Sequence, residues 1–271
     1  MNLSPPERND LDFRLYFANT DPSIHPLWDS PLLDLADRLV TIDDATTRDE
    51  REKLVELEKD GDLGKKTGLD FSNALDQCYR NTSSPYIAVF EGDILFANGW
   101  FARAQVGLGE IEERVRTTHE TWLDMRLFNE ERSVGWADNR FLGNNVPFIA
   151  AGIAIVLVGT HLVLARFFKR TFISNQTLTI ICCVSVPLFV IFFFQAGKSS
   201  VLPPRPGVKL QNWGCCTQGL ILPRSQVPDL VAKLRSRAGE APTDLIVIDH
   251  AKDEGLSRFA LDPVQVQHMG M

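Results

Sequence analysis

The sequence predicts an α/β fold that is interrupted by a two-helix transmembrane hairpin. In the first half of the chain, short β-rich segments alternate with segments of helical periodicity, which is typical of a sheet covered by helices. In the middle, residues 146–165 and 172–195 form two long apolar segments joined by a short basic turn. We therefore expect three parts: residues 1–145 and 197–271 as two pieces of one globular domain, and residues 146–196 as the hairpin.

The elements of the first piece follow from local signals. FRLYFA at 13–18 is β-rich and is ended by a turn sequence, and YIAVF at 86–90 has the composition of a buried strand. Ser30-Pro31 is typical of a helix start, because the first residue can cap and the second fits the first helical position. The predicted strands are 13–18, 40–42 and 86–90, and the predicted helices are one that starts at 30 and those at 50–58, 69–79 and 101–115. This alternation predicts a mainly parallel sheet.

Both apolar segments have the length of a membrane span. Residues 146–165 carry no formal charge and have about the 20 residues that a helix needs to cross the hydrocarbon layer. Residues 172–195 begin with polar residues and are almost wholly apolar from 180 to 194, with Pro187 inside. Neighbouring helices can satisfy the carbonyl that a proline frees. The alternative, a hydrophobic hairpin in the core of a soluble domain, agrees less well with the length of both segments.

The turn between the spans predicts their orientation. Residues 166–171 carry three cations, and the positive-inside rule places such a turn in the cytoplasm. So short a turn makes the spans antiparallel neighbours, so the two globular pieces share the other compartment, which we expect to be the secretory lumen. Residues 1–10 are polar throughout. We therefore expect either that the hairpin directs membrane insertion or that a preceding segment is missing.

Charge and cysteine content narrow the class of partner. The net charge of −7 and the lack of a basic stripe argue against nucleic acid as a partner. Cys78 and one of Cys215 or Cys216 lie in the globular pieces, where an oxidising lumen favours disulfides, and we expect a bridge between them. No C-x-x-C spacing supports a metal site at the cysteines. Asn81-Thr82-Ser83 is a glycosylation sequon, which agrees with a lumenal face.

The candidate chemistry follows the strand predicted at 86–90. Glu91 and Asp93 come just after its carboxyl end, which is where ligands of open α/β sheets bind. Two carboxylates can hold a hard divalent ion, and such an ion neutralises a diphosphate leaving group. Their spacing is that of the D-x-D motif of nucleotide-sugar glycosyltransferases. The alternative is an ordinary solvated turn.

Several stretches together resemble one enzyme family. They are KTGLDFSNALDQC, SSPYIAVFEGDILFANGWFARA, WLDMRLFNEERSVGW, NWGCCTQGLILPRSQVPDLV and LDPVQVQHMG, with the apolar hairpin between the third and the fourth. From Phe13 to its end, the chain is similar to the membrane-embedded glycosyltransferases that add an N-acetylgalactosamine branch to glycosylphosphatidylinositol (GPI) anchors. The order of the motifs, with a hairpin inserted into the domain, carries this resemblance.

The resemblance implies a GT-A fold, which is a Rossmann-like nucleotide-sugar domain, on the lumenal side of the Golgi membrane. It implies a UDP-sugar donor and Mn²⁺, or another divalent cation, held by Glu91, Asp93 and His268. In the family an acidic triplet, Glu-Asp-Asp, takes this position, so Gly92 replaces its middle member here. If the middle acid is a metal ligand, this chain is impaired. If the outer pair suffices, glycine is acceptable.

The resemblance also implies residues that contact the donor. Lys66 and Asp70 match the region where the family's nucleotide pocket contacts phosphate and uridine or ribose, and the alternative for both is an exposed helix start. For His268 the alternative is an ordinary surface histidine near a chain terminus. Trp100, just after the acidic turn, suits either stacking on a sugar or core packing.

An inverting transfer also needs a base that deprotonates the acceptor hydroxyl. Asp244, which opens the predicted helix DLIVIDHAKDEG, is the first candidate, and its alternative role is to complement the helix dipole. Glu131, with Glu130 beside it, is the reserve candidate. The implied reaction moves N-acetylgalactosamine, or a related hexose, from a UDP-sugar to a mannose of the GPI glycan. The alternative function is that of an inactive relative that binds GPI-anchored cargo or a partner enzyme in the lumen.

Overall fold

A computed structural model describes residues 3–129, 140–169, 173–197, 205–214 and 216–270. The chain divides into two compact units. The globular unit comprises Met1–Asn129 and Pro206–Met271, and the hairpin unit comprises Glu130–Arg205. The globular unit mixes helices with sheets, so the predicted α/β class is confirmed at that level.

The secondary structure of the described residues is as follows. The strands are β1 (Arg14–Phe17), β2 (Arg38–Thr41), β3 (Tyr86–Phe90), β4 (Ile94–Phe96), β5 (Trp122–Arg126), β6 (Gly207–Leu210), β7 (Gly219–Pro223), β8 (Ser257–Asp262) and β9 (Val266–His268). The α-helices are α1 (Pro5–Asn9), α2 (Ile42–Ala45), α3 (Arg48–Asp60), α4 (Leu63–Asn81), α5 (Trp100–Thr118), α6 (Arg140–Asn144), α7 (Val146–Phe168), α8 (Asn175–Ile180), α9 (Val186–Gln195), α10 (Val227–Arg237) and α11 (Thr243–Asp253). Short 3-10 helices occupy Pro22–Ile24, Pro31–Leu35 and Arg224–Gln226.

Most of the predicted elements of the first piece are present. The strands predicted at 13–18, 40–42 and 86–90 are β1, β2 and β3, and the helices predicted at 50–58, 69–79 and 101–115 are α3, α4 and α5. Local caps explain the ends of α3, because Thr47 and Glu50 form a capping box and Gly61 ends the helix in the left-handed conformation. Ser30 does cap the segment that follows it, but that segment is a short 3-10 helix.

The main sheet is mixed, so the prediction of a mainly parallel sheet is wrong. Its five strands have the order β3-β7-β5-β8-β6, and β5 with β8 is its one parallel pair within the described residues. Strand β7 follows the hairpin in the chain yet lies between β3 and β5. The order of elements along a sequence does not determine which strands pair. Because β7 lies between β3 and β5, the alternation of strands and helices along the chain did not indicate a parallel sheet correctly. Strands β1 with β2 and β4 with β9 form two smaller sheets.

The strand directions create one edge at which several carboxyl ends meet. Strands β3 and β5 both run antiparallel to β7, and β8 runs parallel to β5. The carboxyl ends of β3, β5 and β8 therefore lie at the same edge of the sheet, which we call the carboxyl edge. Ligand-binding groups commonly lie at such an edge.

Each face of the main sheet packs against its own hydrophobic core. The side chains of β7 alternate, with Leu220 and Leu222 in the core formed with α4, α10 and α11, and Ile221 in the core formed with α5. Leu75 from α4 and Ile111 from α5 belong to these two cores, respectively, and are almost fully buried. Burying a side chain of this size stabilises a fold by about 1.5–3 kcal/mol. The sheet is thus held rigidly from both sides, which supports the loops at its carboxyl edge.

The hairpin unit contains two helical segments that are long and apolar enough to cross a membrane. Val146–Phe167 is 22 residues long and reaches a mean hydropathy of 2.4 over its most apolar 18 residues, and Asn175–Gln195 is 21 residues long and reaches 2.6. At 1.5 Å per residue, segments of this length span about 32 Å, which matches a hydrocarbon layer of about 30 Å. The second segment begins later than predicted because Ser174 caps the backbone N–H of Thr177, at 3.1 Å. Phe172 lies outside the described residues.

The two apolar segments are antiparallel neighbours, as predicted. The ring of His161 lies 3.2 Å from the side-chain oxygen of Asn175, and the thiol of Cys182 lies 3.9 Å from the carbonyl oxygen of Ala154. The contact at the earlier position of the first segment, Ala154, is made by the later position of the second, Cys182, so the two segments run in opposite directions. A π-helical turn, Ile181–Ser185, precedes Pro187. The wider turn accommodates the proline, which lacks an N–H and would otherwise crowd the carbonyl four residues earlier.

The disulfide predicted for Cys78 is not formed. Cys78 is a free thiol on α4 that packs against the α4/α10/α11 core, whereas Cys216 is disulfide-bonded. Cys78 lies just before the start of β3, and Cys216 precedes β7, whose first residue pairs with the last residue of β3. The two cysteines are therefore at opposite ends of strand β3, about 16 Å in length. Cys215 lies outside the described residues.

Candidate functional site

The acidic turn at the carboxyl edge is held by the residues around it. Glu91 follows β3 directly, and its backbone N–H donates to the carbonyl of Gln218 at 3.3 Å. After the turn, β4 pairs with β9 so that Ile94 lies opposite His268. The backbone N–H of Met269 donates to the carbonyl of Asp93 at 2.8 Å. A short strand near the end of the chain thus returns to the turn that carries the two carboxylates.

This pairing brings three potential metal ligands together. His268 Nε2 lies 2.8 Å from Asp93 Oδ2, although the two residues are 175 positions apart in the sequence. One ligand atom from each of Glu91, Asp93 and His268 lies within 4.8 Å of the others. The side chains of Asp93 and His268 are 51 % and 34 % exposed, so a solvent-borne ligand can reach them. We call these three residues the acid–histidine cluster.

The acid–histidine cluster fits a divalent cation. Adjacent ligands of an octahedral Mg²⁺-type ion are about 3 Å apart and opposite ligands about 4 Å apart. The 2.8 Å separation of His268 and Asp93 matches the adjacent spacing, and the 4.8 Å limit on the whole cluster is within a small side-chain movement of the opposite spacing. Two carboxylate oxygens and one imidazole nitrogen are ligands that first-row divalent ions accept.

Thr217 orients one of the carboxylates from outside the cluster. Its hydroxyl donates to Glu91 Oε1 at 2.5 Å, and the Thr217 residue is 8 % exposed. A hydrogen bond to a ligating carboxylate fixes its orientation and tunes its affinity for a metal. Sequence reasoning did not select Thr217, because nothing in the pattern CCTQG shows that the segment before β7 runs beside the acidic turn.

Asp244 is connected to the cluster through the segment that carries Thr217. It lies in the first turn of α11, where one carboxylate oxygen accepts the N–H of Leu245 at 2.9 Å and the other accepts the N–H of Cys216 at 3.3 Å. Cys216 and Thr217 are adjacent, so one dipeptide contacts both Asp244 and Glu91. The structure thereby connects Asp244 to the acid–histidine cluster through this dipeptide, and it also gives Asp244 the helix-start role that was its alternative.

Lys66 and Asp70 occupy a separate, buried place at the end of β1. Their side chains form an ion pair at 2.8 Å, and Lys66 also lies 3.3 Å from Glu58 and donates to the carbonyl of Ala18. Burial raises the pKa of Asp70, and the ammonium of Lys66 opposes that rise. Three acceptors saturate the Lys66 ammonium. Within the described residues, no contact joins this pair to the acid–histidine cluster.

The remaining candidates are Trp100, Glu130 and Glu131. Trp100 is 2 % exposed and packs against Phe90, Phe96 and Phe101, so it belongs to the core and does not present a face to a sugar. Glu130 and Glu131 lie outside the described residues.

Comparison with known proteins assigns no family to this geometry. No protein-family model matches the chain, and no curated protein sequence matches it. The function therefore rests on the chemistry of the site and on the motifs of the sequence.

The main sheet also buries charges that sequence reasoning did not select. Asp124 and Arg126 on β5 and Arg258 on β8 are at most 2 % exposed. A signal was available, since β5 reads Trp-Leu-Asp-Met-Arg in a strand that is buried along its whole length. Charged residues are almost never fully buried unless they are paired, so two charges within one such strand indicate either a buried ion pair or a binding group.

Proposed function

We propose that this chain is a metal-dependent membrane glycosyltransferase of GT-A type. It transfers N-acetylgalactosamine, or a related hexose, from a UDP-sugar to a mannose of the GPI glycan. The observation that carries the proposal is the acid–histidine cluster, which joins the turn after β3 to the last strand of the chain at the carboxyl edge. The identities of the donor and the acceptor are those that the resemblance of the sequence motifs to the GPI-modifying transferases implies.

The cluster supplies what sugar transfer from a nucleotide requires. Glu91, Asp93 and His268 would hold the cation, and Thr217 keeps Glu91 oriented through its hydroxyl. A divalent cation at this place would supply positive charge to offset the negative charge of a diphosphate leaving group. Glu91 and Asp93 match the outer members of the family's acidic triplet, and Gly92 between them faces open space, with no heavy atom within 4 Å of the position of a Cβ. The turn is therefore open on the side of Gly92.

Asp244 is the base of the proposed reaction. Both of its oxygens accept a backbone N–H, and each keeps a second lone pair that can accept a proton from an acceptor hydroxyl. The N-terminal end of α11 supports its negative charge before the transfer. The same bonds hold the carboxylate in one place, which is the requirement for a positioned general base.

The hairpin provides a reason for a membrane-bound enzyme. Two segments that are long and apolar enough to cross a membrane interrupt the globular chain. A lipid-linked acceptor lies at the bilayer surface, and an enzyme anchored there meets it without a search through solution. Holding two reactants together lowers the entropic part of the barrier. The proposed location is the Golgi membrane, with the globular unit in the lumen.

A second candidate function is supported by a separate observation. Lys66 and Asp70, which the family resemblance assigns to the nucleotide pocket, are buried, and the Lys66 ammonium is already saturated by Asp70, Glu58 and the carbonyl of Ala18. Gly92 also replaces one acid of the family's triplet. A relative that has lost catalysis and binds GPI-anchored cargo, or a partner enzyme, would have this combination of features.

The experiment that separates the two functions measures sugar transfer by the purified chain. The full chain in detergent is incubated with UDP-GalNAc, Mn²⁺ and a GPI glycan, and UDP release and the extended glycan are both quantified. We expect turnover that EDTA abolishes and that Asp93→Ala lowers by more than the about 10- to 100-fold that the loss of an outer-shell partner of a metal ligand costs. Asp60→Ala is the matched control, because Asp60 is an exposed carboxylate at the end of α3. Equal rates for Asp93→Ala and Asp60→Ala, or binding of the glycan without turnover, favour the second function.

A further inference from the structure

The centre of the main sheet buries two cations and one anion. Asp124 and Arg258 form a close ion pair in which the guanidinium of Arg258 contacts both carboxylate oxygens, at 2.6–3.1 Å. Arg126, on the same strand as Asp124, is fully buried beside this pair. The carboxylate of Asp124 is already used by Arg258. Arg126 is therefore a buried positive charge in excess.

The guanidinium of Arg126 is poorly satisfied by its own protein. Its Nη2 donates to the carbonyl of Gln211 at 2.7 Å and makes a long contact of 3.4 Å with the carbonyl of Trp213. Its Nε and Nη1 have no acceptor among the described residues. Burial lowers the pKa of Arg126 to about 10, and the charge of Arg258 acts in the same direction. Buried donors without acceptors are rare in proteins and usually have a functional reason.

Residues 211–214 cover Arg126 mainly with backbone atoms. Residues 211–214 follow β6, and the segment is anchored where Gln211 and Asn212 bond to the backbone of Arg258. Trp213 is 53 % exposed, although it is a large apolar side chain. Gly214 lies directly against the guanidinium, since a Cβ at that position would be 1.5 Å from Nη1 of Arg126. Only glycine permits this close approach, so the segment lies on Arg126 without burying a side chain there.

The same stretch of chain reaches from Arg126 to the acid–histidine cluster. Gly214 contacts Arg126, and Thr217, three residues later, donates to Glu91. Arg126 pairs with Leu220 on β7, and Phe90, the residue before Glu91, pairs with Gly219. The backbones of Arg126 and Glu91 are therefore about two strand spacings apart, or about 10 Å across the sheet. A ligand that carries phosphate groups is large enough to contact both places.

We propose that Arg126 anchors an anion-binding site for the phosphate groups of a phosphorylated ligand. Phosphate oxygens supply the acceptors that Nε and Nη1 lack, and they balance the charge that Asp124 leaves uncompensated. Arginine is well suited to this role, because its planar guanidinium matches phosphate geometry. Trp213 and Gly214 move off the guanidinium when the anion binds, while Gln211 and Asn212 stay bonded to the backbone of Arg258, and a phosphate oxygen replaces the long contact with the carbonyl of Trp213. The ligand's identity rests on the proposed function, whereas the anion site itself does not.

The test measures anion binding in the absence of metal. The thermal unfolding of the full chain in detergent with EDTA is followed with increasing pyrophosphate, for the wild type, Arg126→Met and Arg116→Met. Arg116 is the matched control, because its side chain is 74 % exposed on α5. We expect pyrophosphate to raise the midpoint of the wild type and of Arg116→Met, since a ligand that binds only the folded state stabilises it. We expect Arg126→Met to weaken binding about 10- to 100-fold, as for the loss of charged hydrogen bonds.

The folding of the variant itself is informative. An apolar residue of similar volume often replaces a buried charge without loss of stability, so we expect Arg126→Met without ligand to unfold at or above the wild-type midpoint. If Arg126→Met does not fold, Arg126→Lys takes its place, with weaker pyrophosphate binding as the expected result. A wild type that pyrophosphate does not stabilise, or an arginine variant that binds it as tightly as the wild type, overturns the proposal.

Two further arms identify the source of the phosphate and separate this proposal from the proposed function. Stabilisation by UDP and not by phosphoethanolamine assigns the site to the donor, and the reverse assigns it to the phosphorylated acceptor. Asp93→Ala, which removes a ligand of the acid–histidine cluster, should keep the EDTA-resistant response to pyrophosphate. If the chain binds pyrophosphate in this way but transfers no sugar, the result supports the anion site and contradicts the proposed function.

Discussion

The buried ion pair of Asp124 and Arg258 gives the sharpest test of how the sheet is stabilised. Asp124→Ala removes the only carboxylate that contacts Arg258 among the described residues, and it leaves two buried guanidinium groups near each other. Breaking a buried pair by removing one partner costs about 3–5 kcal/mol. The total stability of a domain is about 5–15 kcal/mol, so this one substitution removes a large part of it. The side chains are 0 % and 2 % exposed, so water cannot compensate the lost charge.

The assay is equilibrium unfolding in detergent by denaturant, followed by tryptophan fluorescence. The control is Glu52→Ala, which breaks the pair of Arg48 and Glu52, whose side chains are 89 % and 65 % exposed. An exposed pair of this kind contributes at most about 1 kcal/mol. The double variant Asp124→Leu with Arg258→Met replaces the ion pair by apolar side chains, and we expect it to be close to the wild type in stability. The reasoning fails if Asp124→Ala destabilises no more than Glu52→Ala, or if the double variant is as unstable as Asp124→Ala.

Two further predictions concern the acid–histidine cluster. Thr217→Val removes the hydroxyl that donates to Glu91 and should lower Mn²⁺ affinity about 10- to 100-fold in a calorimetric titration. Thr217→Ser keeps the hydroxyl and should bind Mn²⁺ as the wild type does, so equal affinities of the two variants would show that the bond has no such role. Gly92→Asp should fold normally, because no heavy atom lies within 4 Å of the added Cβ, and should bind Mn²⁺ more tightly through a third carboxylate. Gly92→Asn is its uncharged control, and a gain in affinity that Gly92→Asn shares would not come from the added charge.

The sequence predicted the elements whose signals are local. Hydrophobic periodicity, composition and turn residues predicted the strand β3 and the helices α3, α4 and α5, and the structure contains all four. The two apolar segments were visible from length and hydropathy alone. Periodicity and propensity act over a few neighbouring residues, so the chain needs no tertiary contact to display them.

The sequence did not allow the pairing of strands or of cysteines to be predicted. Strand β7 lies between β3 and β5 although the hairpin separates it from both in the chain. Because β7 runs antiparallel to both of these strands, the sheet is mixed. The position of β7 also places Cys216 at the far end of β3 from Cys78, which is a free thiol. The partner of a strand depends on the packing of the whole sheet between its two cores, and an ordered list of elements does not contain that information.

The site divides in the same way. By itself, the sequence determined that two carboxylates follow a strand end and that the chain contains an apolar hairpin, because both are properties of contiguous residues. The motif resemblance named His268, but only the tertiary structure brought it to Asp93, through the pairing of β4 with β9. The structure alone decided that Thr217 orients Glu91, that Trp100 belongs to the core, and that Arg126 is buried without enough acceptors. Burial and hydrogen bonding depend on which distant residues meet, and that is settled only when the strands take their places in the sheet.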